Sequence, residues 1–228
     1  MIPFKDYNPA SRYPVMTVLI ILANVAVYLY GFTLPGAYYQ QFVHSYAIIP
    51  ADLGHEPAVV SIATMLSSMF LHGGLLHLGG NMLFLWVFGD NIEDRMGSLR
   101  FLFFYLICGL AAGLAHILLN SDSPIPTIGA SGAVAGVLGA YLLSYPYARV
   151  LVLIPLIIFW PVIKLPALIV LGYWFVFQVF SGALSGPEMG GVAYGAHVGG
   201  FVAGLALISL FARQPVRRYY WREDEEGQ

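Results

Sequence analysis

The stretch that decides the fold is Ile128–Tyr141, which reads IGASGAVAGVLGAY. It places one serine, Ser131, among residues with almost no side chain at the start of an apolar segment. A substrate would therefore reach the Ser131 hydroxyl without meeting a bulky neighbour. Gly132, Gly136 and Ala140 recur at a spacing that lets a second helix approach at backbone distance. A helix-packing seam in a membrane bundle explains the same stretch, so the rest of the chain has to decide between the two interpretations.

Composition places the chain in a lipid bilayer. Of its 228 residues, 59% are hydrophobic and 10% are charged, and the mean hydropathy is +0.76. Ordinary soluble domains carry about 25% charged residues. The single cysteine, Cys108, lies in an apolar run and is expected to be packing material. The formal net charge of −2 is uninformative, and no nucleic-acid partner is expected.

Six apolar segments are interpreted as membrane spans, because about 20 apolar residues cover a hydrocarbon core of about 30 Å. They are Val15–Phe32, Met69–Phe88, Leu99–Leu119, Ile128–Tyr145, Leu165–Phe180 and Val192–Phe211. The first is expected to be retained, since no clear signal-peptide cleavage site follows it. A broken, aromatic-rich segment (Thr33–Ser67) suits a membrane surface, and Asp90–Gly97 is expected to be a tight charged turn. Val150–Ile163 is apolar but is interrupted by Pro155 and Pro161.

The basic residues give the topology. With six spans, all ten Lys and Arg residues fall on one side, which the positive-inside rule makes the cytoplasm. A seventh span at Val150–Ile163 would destroy this asymmetry, so that segment is expected to be interfacial or re-entrant. We therefore predict an all-α polytopic membrane protein with both termini cytoplasmic. Its parts are a cytoplasmic segment (1–14), a six-helix membrane domain (15–212) and a charged cytoplasmic tail (213–228). The compact chain suggests the inner or plasma membrane of a bacterial or archaeal cell.

Polar side chains within membrane spans are energetically unfavourable, so each is expected to have a hydrogen-bond partner or a function. Those that stand out are His72, His77, Asn81, His116, Ser131, Gln178 and His197. His77 and Asn81 are four residues apart and share one helix face. By topology, they lie at a similar depth to Ser131 and His197, toward the outer face. A packing seam alone does not predict this coincidence.

A serine beside a histidine is the minimal activated nucleophile, because the imidazole takes the hydroxyl proton and returns it to the leaving amine. Glycine rows in the sixth span, Gly195–Gly199 and Gly200–Gly204, would pack against the fourth span and bring His197 to Ser131. No Asp or Glu lies inside any span, so the sequence favours a dyad over a triad. His77, Asn81 and the Ser131 amide are then candidate donors to an oxyanion.

These motifs resemble those of the rhomboid intramembrane serine proteases. The residues that carry the resemblance are Gly129-Ala130-Ser131-Gly132, the row His72…His77…Asn81, Ala196-His197 followed by Gly199-Gly200, and Glu93-Asp94-Arg95. The resemblance covers nearly all of the six-helix core. It implies a rhomboid-like bundle with a partly embedded first loop.

The resemblance also implies that Ser131 is the nucleophile, His197 the base, and His77, Asn81 and the Ser131 amide the oxyanion hole. Gly129, Gly132 and His72 would support the site. The substrate would be a transmembrane helix cut near its outer end, with no cofactor and no metal. The aromatic fifth helix and the loop Gly182–Gly191 would form a lateral gate and a cap.

Two positions depart from the family pattern. Ala135 stands where many members carry an aromatic residue that stacks on the catalytic histidine, so His197 is expected to be held differently. The stretch Ile62–Met65 lacks the Trp-Arg pair that members often carry in the first loop, which puts the anchoring of that loop in doubt.

Three other classes compete with a protease. A metal site lacks an intramembrane carboxylate and a His-Glu-x-x-His arrangement. A transporter lacks a visible inverted repeat and a charged residue at mid-membrane. A non-catalytic relative that binds client transmembrane helices would be expected to lose the serine or the histidine, and this chain keeps both. The oligomeric state and the identity of the substrates are not predicted.

Overall fold

The structure is a computed structural model that describes residues 1–53, 57–156, 160–184, 193–213 and 215. Within them the chain forms nine helices and three strands. In chain order these are β1 (Ile2–Asp6), α1 (Val15–Thr33), α2 (Gly36–Tyr46), α3 (Pro50–Leu53), α4 (Ala58–Ser68), α5 (Leu75–Met96), α6 (Ser98–Leu119), α7 (Ser131–Ser144), β2 (Arg149–Leu153), β3 (Val162–Pro166), α8 (Ala167–Leu184) and α9 (Tyr194–Phe211). The fold is therefore mostly helical.

Four of the described helices, α1, α6, α8 and α9, are long and apolar enough to cross a membrane. They coincide with the first, third, fifth and sixth predicted spans to within a few residues. Their lipid-facing character is visible in the large apolar side chains that they leave exposed, such as Leu22, Leu118, Phe180 and Leu210. The chain is thus a multi-pass membrane protein.

The second and fourth predicted spans differ from the expected boundaries. Helix α5 starts at Leu75 rather than Met69, and it continues to Met96 through the charged residues that the sequence placed in a turn. The helix persists because these polar side chains find partners on other elements. Helix α7 has 14 residues, which at 1.5 Å per residue gives about 21 Å, less than the hydrocarbon core. Almost all of α7 is buried, so this helix lies inside the bundle, and the count of six spans remains a prediction.

The described residues between α1 and α5 form three short helices, α2 to α4, none of them long enough to span. An isolated bridge joins Ile48 to Thr127, and the Gly129 N–H donates to the carbonyl of Ser68 at 2.9 Å. Helix α4 also packs against α6. These contacts anchor the segment without the Trp-Arg pair, and they fix the turn that precedes Ser131.

The apolar segment Val150–Ile163 is not helical where it is described. It contains β2 and the start of β3, and β2 pairs antiparallel with both β1 and β3. The all-α prediction is therefore wrong for these three strands, although the fold is mostly helical. Val150 and Val152 are fully buried on one face of β2, and the first residues of the chain supply the second edge of the sheet.

The sheet lies at the end of the bundle where α1 begins and where α5, α7 and α9 end. We call this the sheet end. The N-terminal ends of α7 and α9 lie at the opposite end.

Glycine rows bring α7 and α9 into backbone contact, as the sequence predicts. A Cβ atom at Gly200 would collide with the carbonyl oxygen of Gly132, and one at Gly204 with that of Gly136. Only glycine fits at these two positions of close approach. The other predicted row differs in its partner, because Gly195 and Gly199 face α6 rather than α7.

Candidate active site

Ser131 is the first residue of α7, and the turn before it requires glycine. Gly129 has φ of 126°, a region that L side chains rarely adopt. A Cβ atom there would lie 2.7 Å from the ring atoms Cε1 and Nε2 of His77. The turn therefore keeps the His77 ring against the backbone that leads to Ser131.

His197 is the fourth residue of α9, and its Nε2 atom lies 2.7 Å from the Ser131 Oγ atom. The glycine contacts between α7 and α9 set this approach, because they hold the two helix starts side by side. Gly132 contributes directly, since a Cβ atom there would also collide with Ala112 of α6. Ser131 is partly exposed, whereas His197 is 9% exposed. The structure thus brings together the two residues predicted as nucleophile and base.

The other ring nitrogen of His197, Nδ1, lies 2.7 Å from Oε1 of Gln178 on α8. An amide oxygen only accepts hydrogen bonds, so Nδ1 carries the proton and donates it. The Nε2 atom of the neutral ring is then an acceptor for the Ser131 hydroxyl. From the sequence, Gln178 is recognised only as a polar residue whose burial within a span is unfavourable. It is assigned no role there, because the expected partner of His197 is a carboxylate.

Aromatic side chains pack around the His197 ring. Trp174 of α8 has its ring centroid 5.8 Å away at an interplanar angle of 36°. Tyr194 lies edge-on at 6.4 Å and 85°. The aromatic support missing at Ala135 is therefore provided by α8 and by the start of α9.

The predicted oxyanion residues lie beside the same turn. Asn81 is 8% exposed, and its Nδ2 atom lies 2.9 Å from Nε2 of His72. The His72 and His77 rings meet edge to face with centroids 5.0 Å apart. A Cβ at Gly129 would lie 3.7 Å from the Asn81 Nδ2 atom. His72 thus orients the Asn81 amide, and both Asn81 and His77 reach the backbone next to Ser131.

His116 lies in α6, near Ser131. Its Nε2 atom is 2.8 Å from the Thr127 hydroxyl oxygen, and the His116 side chain is buried. A cavity of about 30 Å³, lined by His116, Thr127, Ser131 and Ser68 among others, adjoins the nucleophile. This volume accommodates about one water molecule. Among the residues that the structure describes, no group of three or more His, Cys, Asp or Glu is placed to hold a metal ion.

The predicted loop and the predicted tail lie partly outside the described residues. The loop predicted as Gly182–Gly191 is described only to Leu184, and that part continues α8. The tail from Arg213 is described only at residues 213 and 215.

Comparison with known proteins identifies the family of the chain. The Rhomboid domain model matches residues 60–214, more than half of the chain. "Rhomboid protein 1, mitochondrial" of Saccharomyces cerevisiae is 30% identical over 210 residues, covering 89% of this chain and 54% of the yeast protein. The chain belongs to the rhomboid family.

Two further relatives show how far the likeness extends. "RHOMBOID-like protein 5" of Arabidopsis thaliana is 34% identical over 157 residues, 68% of this chain and 46% of that protein. "Rhomboid protease GluP" of Bacillus subtilis is 44% identical over 78 residues, 34% of this chain and 15% of that protein. The chain spans about half the length of the first two relatives. Because the yeast relative is named as mitochondrial, these comparisons do not support the expected cell membrane.

Proposed function

We propose that this protein is an intramembrane serine endopeptidase that cleaves transmembrane-helix substrates with a Ser-His dyad. The observation that carries the proposal is the 2.7 Å contact between Ser131 Oγ and His197 Nε2 at the start of two helices in a multi-pass membrane protein. A nucleophile within hydrogen-bond reach of a base, itself oriented by a third group, is the signature of nucleophilic catalysis. Membership of the rhomboid family, which includes a relative named as a protease, supports it.

The proposed reaction has two stages. The Ser131 oxygen attacks the carbonyl carbon of the scissile bond while its proton moves to Nε2 of His197. The tetrahedral intermediate collapses, the C–N bond breaks, and His197 returns the proton to the leaving amine, which leaves an acyl ester on Ser131. A water molecule then loses a proton to His197, attacks the ester carbonyl, and releases the acid and the Ser131 hydroxyl. The proton count balances in both stages, and no cofactor is required.

Negative charge develops on the carbonyl oxygen in both stages. The proposed donors are the backbone N–H of Ser131 and the side chains of His77 and Asn81. Their support is structural: His77 and Asn81 face Gly129, two residues before the nucleophile. Donors of this kind, fixed before the reaction, stabilise the transition state by several kcal/mol when they are directed at the developing charge.

The proposed substrate is a transmembrane helix, because the site lies at one end of a bundle whose outer surface is apolar. We further propose that α5 and α7 complete a six-helix bundle with α1, α6, α8 and α9. The sheet end, with both termini, would face the cytoplasm, so that cleavage occurs near the outer end of the substrate. A cell-membrane location is part of the same proposal and depends on the distribution of Lys and Arg.

Cleavage of a single-span model substrate in liposomes tests the proposal. The wild-type protein should release product, whereas Ser131→Ala and His197→Ala should not. Labelling with a fluorophosphonate provides a test that does not depend on the substrate. If the wild-type protein neither cleaves the substrate nor labels at Ser131, the protease is excluded, and a non-catalytic protein that binds client helices is the better account.

A further inference from the structure

We infer that Gln178 is a positioning residue for His197, which fixes the protonation of the ring and takes the place that a carboxylate holds in a catalytic triad. The inference rests on the proposed function, since a role in positioning a base requires that His197 act as one. The observation behind it is the 2.7 Å contact between Gln178 Oε1 and His197 Nδ1.

The location of Gln178 shows that the contact is built into the fold. Helix α8 is apolar, and its buried residues are Ala167, Val170, Leu171 and Gln178. Burying an amide is unfavourable unless it is hydrogen-bonded. Gln178 is 6% exposed, and a leucine there would fill a similar volume without a polar group. The amide oxygen is therefore placed where the ring of His197 satisfies it.

The same contact determines which nitrogen of His197 is the base. A neutral imidazole carries one proton, on Nδ1 or on Nε2, and only the Nδ1–H form leaves Nε2 free to accept from Ser131. Without the amide oxygen the two tautomers would compete, and the Nε2–H form presents a donor to the Ser131 hydroxyl. Gln178 thus keeps the ring in the form that can take the proton.

An amide acts differently from a carboxylate in this position. It fixes the tautomer, but it has no full negative charge to stabilise the imidazolium that forms during the reaction. Within the part of the chain that the structure describes, the other groups near His197 do not supply one. They are the Ser131 hydroxyl from α7, the imidazoles of His116 on α6 and His77 on α5, and the Tyr194 ring on α9 itself. Replacing the amide by a carboxylate should therefore change how the reaction depends on pH.

The test compares Gln178→Leu and Gln178→Glu with the wild type in the liposome assay, over a pH series. Gln178→Leu should lower kcat about ten- to a hundredfold, the range expected for loss of one buried hydrogen bond, with little change in KM. Gln178→Glu should move the acid limb of the kcat profile to higher pH, because a carboxylate beside the ring favours its charged form. Val179→Leu, at an exposed neighbouring position of α8, is the matched control and should match the wild type.

A spectroscopic measurement separates this inference from the proposed function. In ¹⁵N NMR of selectively labelled protein, with His197→Gln for assignment, the wild-type ring should show the Nδ1–H tautomer and Gln178→Leu a mixture. If Gln178→Leu keeps the Nδ1–H tautomer, or if Gln178→Glu leaves the acid limb where it was, Gln178 does not position the ring. If the wild-type protein shows neither cleavage nor labelling, the proposed protease function is overturned, whichever tautomer the NMR spectrum shows.

Discussion

Glu93, near the end of α5, binds the start of α1 through Thr17. Its Oε2 atom accepts from the Thr17 N–H at 2.7 Å and from the Thr17 hydroxyl at 2.8 Å. Its Oε1 atom accepts from the Met16 N–H at 2.9 Å and from the Ser98 hydroxyl. A carboxylate at a helix N-terminus satisfies free N–H groups and interacts favourably with the helix dipole. Glu93 thereby joins three helices at the sheet end.

Glu93→Gln should destabilise the protein by about 2 kcal/mol, even though it keeps the shape of the side chain. Both oxygens of Glu93 accept from N–H groups, so an amide would point its NH₂ at one of those donors and leave it unsatisfied. Thermal unfolding in detergent measures the effect. Asp94→Asn, which alters an exposed contact with Ser11, should change stability by less than about 0.5 kcal/mol. Equal effects at the two positions would contradict this account.

Gly129→Ala should reduce proteolysis at least about tenfold, because the new methyl group displaces the His77 ring and the backbone cannot hold φ of 126° without strain. The rate of Ser131 labelling should fall with it. Gly36→Ala, at an open position on α2, controls for the loss of a glycine. Wild-type activity in Gly129→Ala would show that His77 does not need its present position.

Gly204→Ala should destabilise the bundle by about 1 to 3 kcal/mol, the usual cost of overpacking, since its Cβ meets the Gly136 carbonyl. Gly172→Ala, on α8 in open space, should be neutral or slightly stabilising because alanine favours helices. Unfolding in detergent by chemical denaturant compares the two. If Gly204→Ala is as stable as the wild type, α7 and α9 can move apart without loss of stability.

Asp6, at the end of β1, makes the stability of the sheet end depend on pH. Its Oδ2 atom accepts from the Tyr141 hydroxyl at 2.6 Å and from the Asn91 amide at 2.9 Å. Burial raises the pKa of Asp6 from 3.8 to about 7; the Tyr141 hydrogen bond opposes the rise and the nearby Asp90 carboxylate adds to it. The folded protein therefore keeps a proton that the unfolded chain releases at lower pH.

Because the folded pKa is raised, the contribution of Asp6 to stability is fully present below pH 3.8 and is lost as pH rises to about 7. The loss is at most about 1.4 kcal/mol per pH unit. Asp6→Asn should remove this part of the dependence, which a series of melting temperatures from pH 4 to 8 would reveal. Asp122→Asn, at an exposed carboxylate, controls for net charge. An identical pH slope in Asp6→Asn and wild type would assign the dependence to other groups.

The contact between Ser131 and His197 was predictable because it depends on local patterns. Glycines at fixed spacing in two apolar segments indicate a close helix pair, and each segment carries one polar group near the same end. The boundaries of α5 were not predictable in this way. Hydropathy falls at Asp90, yet the helix continues because Glu93 is stabilised by Thr17, a residue 76 positions earlier in the chain.

The sheet and Gln178 were missed for a related reason. The apolar run around Val150 resembles a membrane segment, and only pairing with Ile2–Asp6 reveals a strand, as β propensity depends on the partner. Gln178 was recognised as an unexplained polar residue in a span. Its partner depends on how α8 lies against α9, which periodicity does not specify.

The pairing of β1 with β2 has a consequence for biogenesis. Residues Ile2–Asp6 are synthesised well before their partner Arg149–Leu153, which follows only after α1 to α7 have been made. Strand β1 therefore has no partner strand while most of the membrane bundle assembles. Contacts between residues this distant in sequence also form slowly. Strand β1 thus reaches its native place only after the helices that follow it have been made, and closing the sheet is a late step in maturation of the protein.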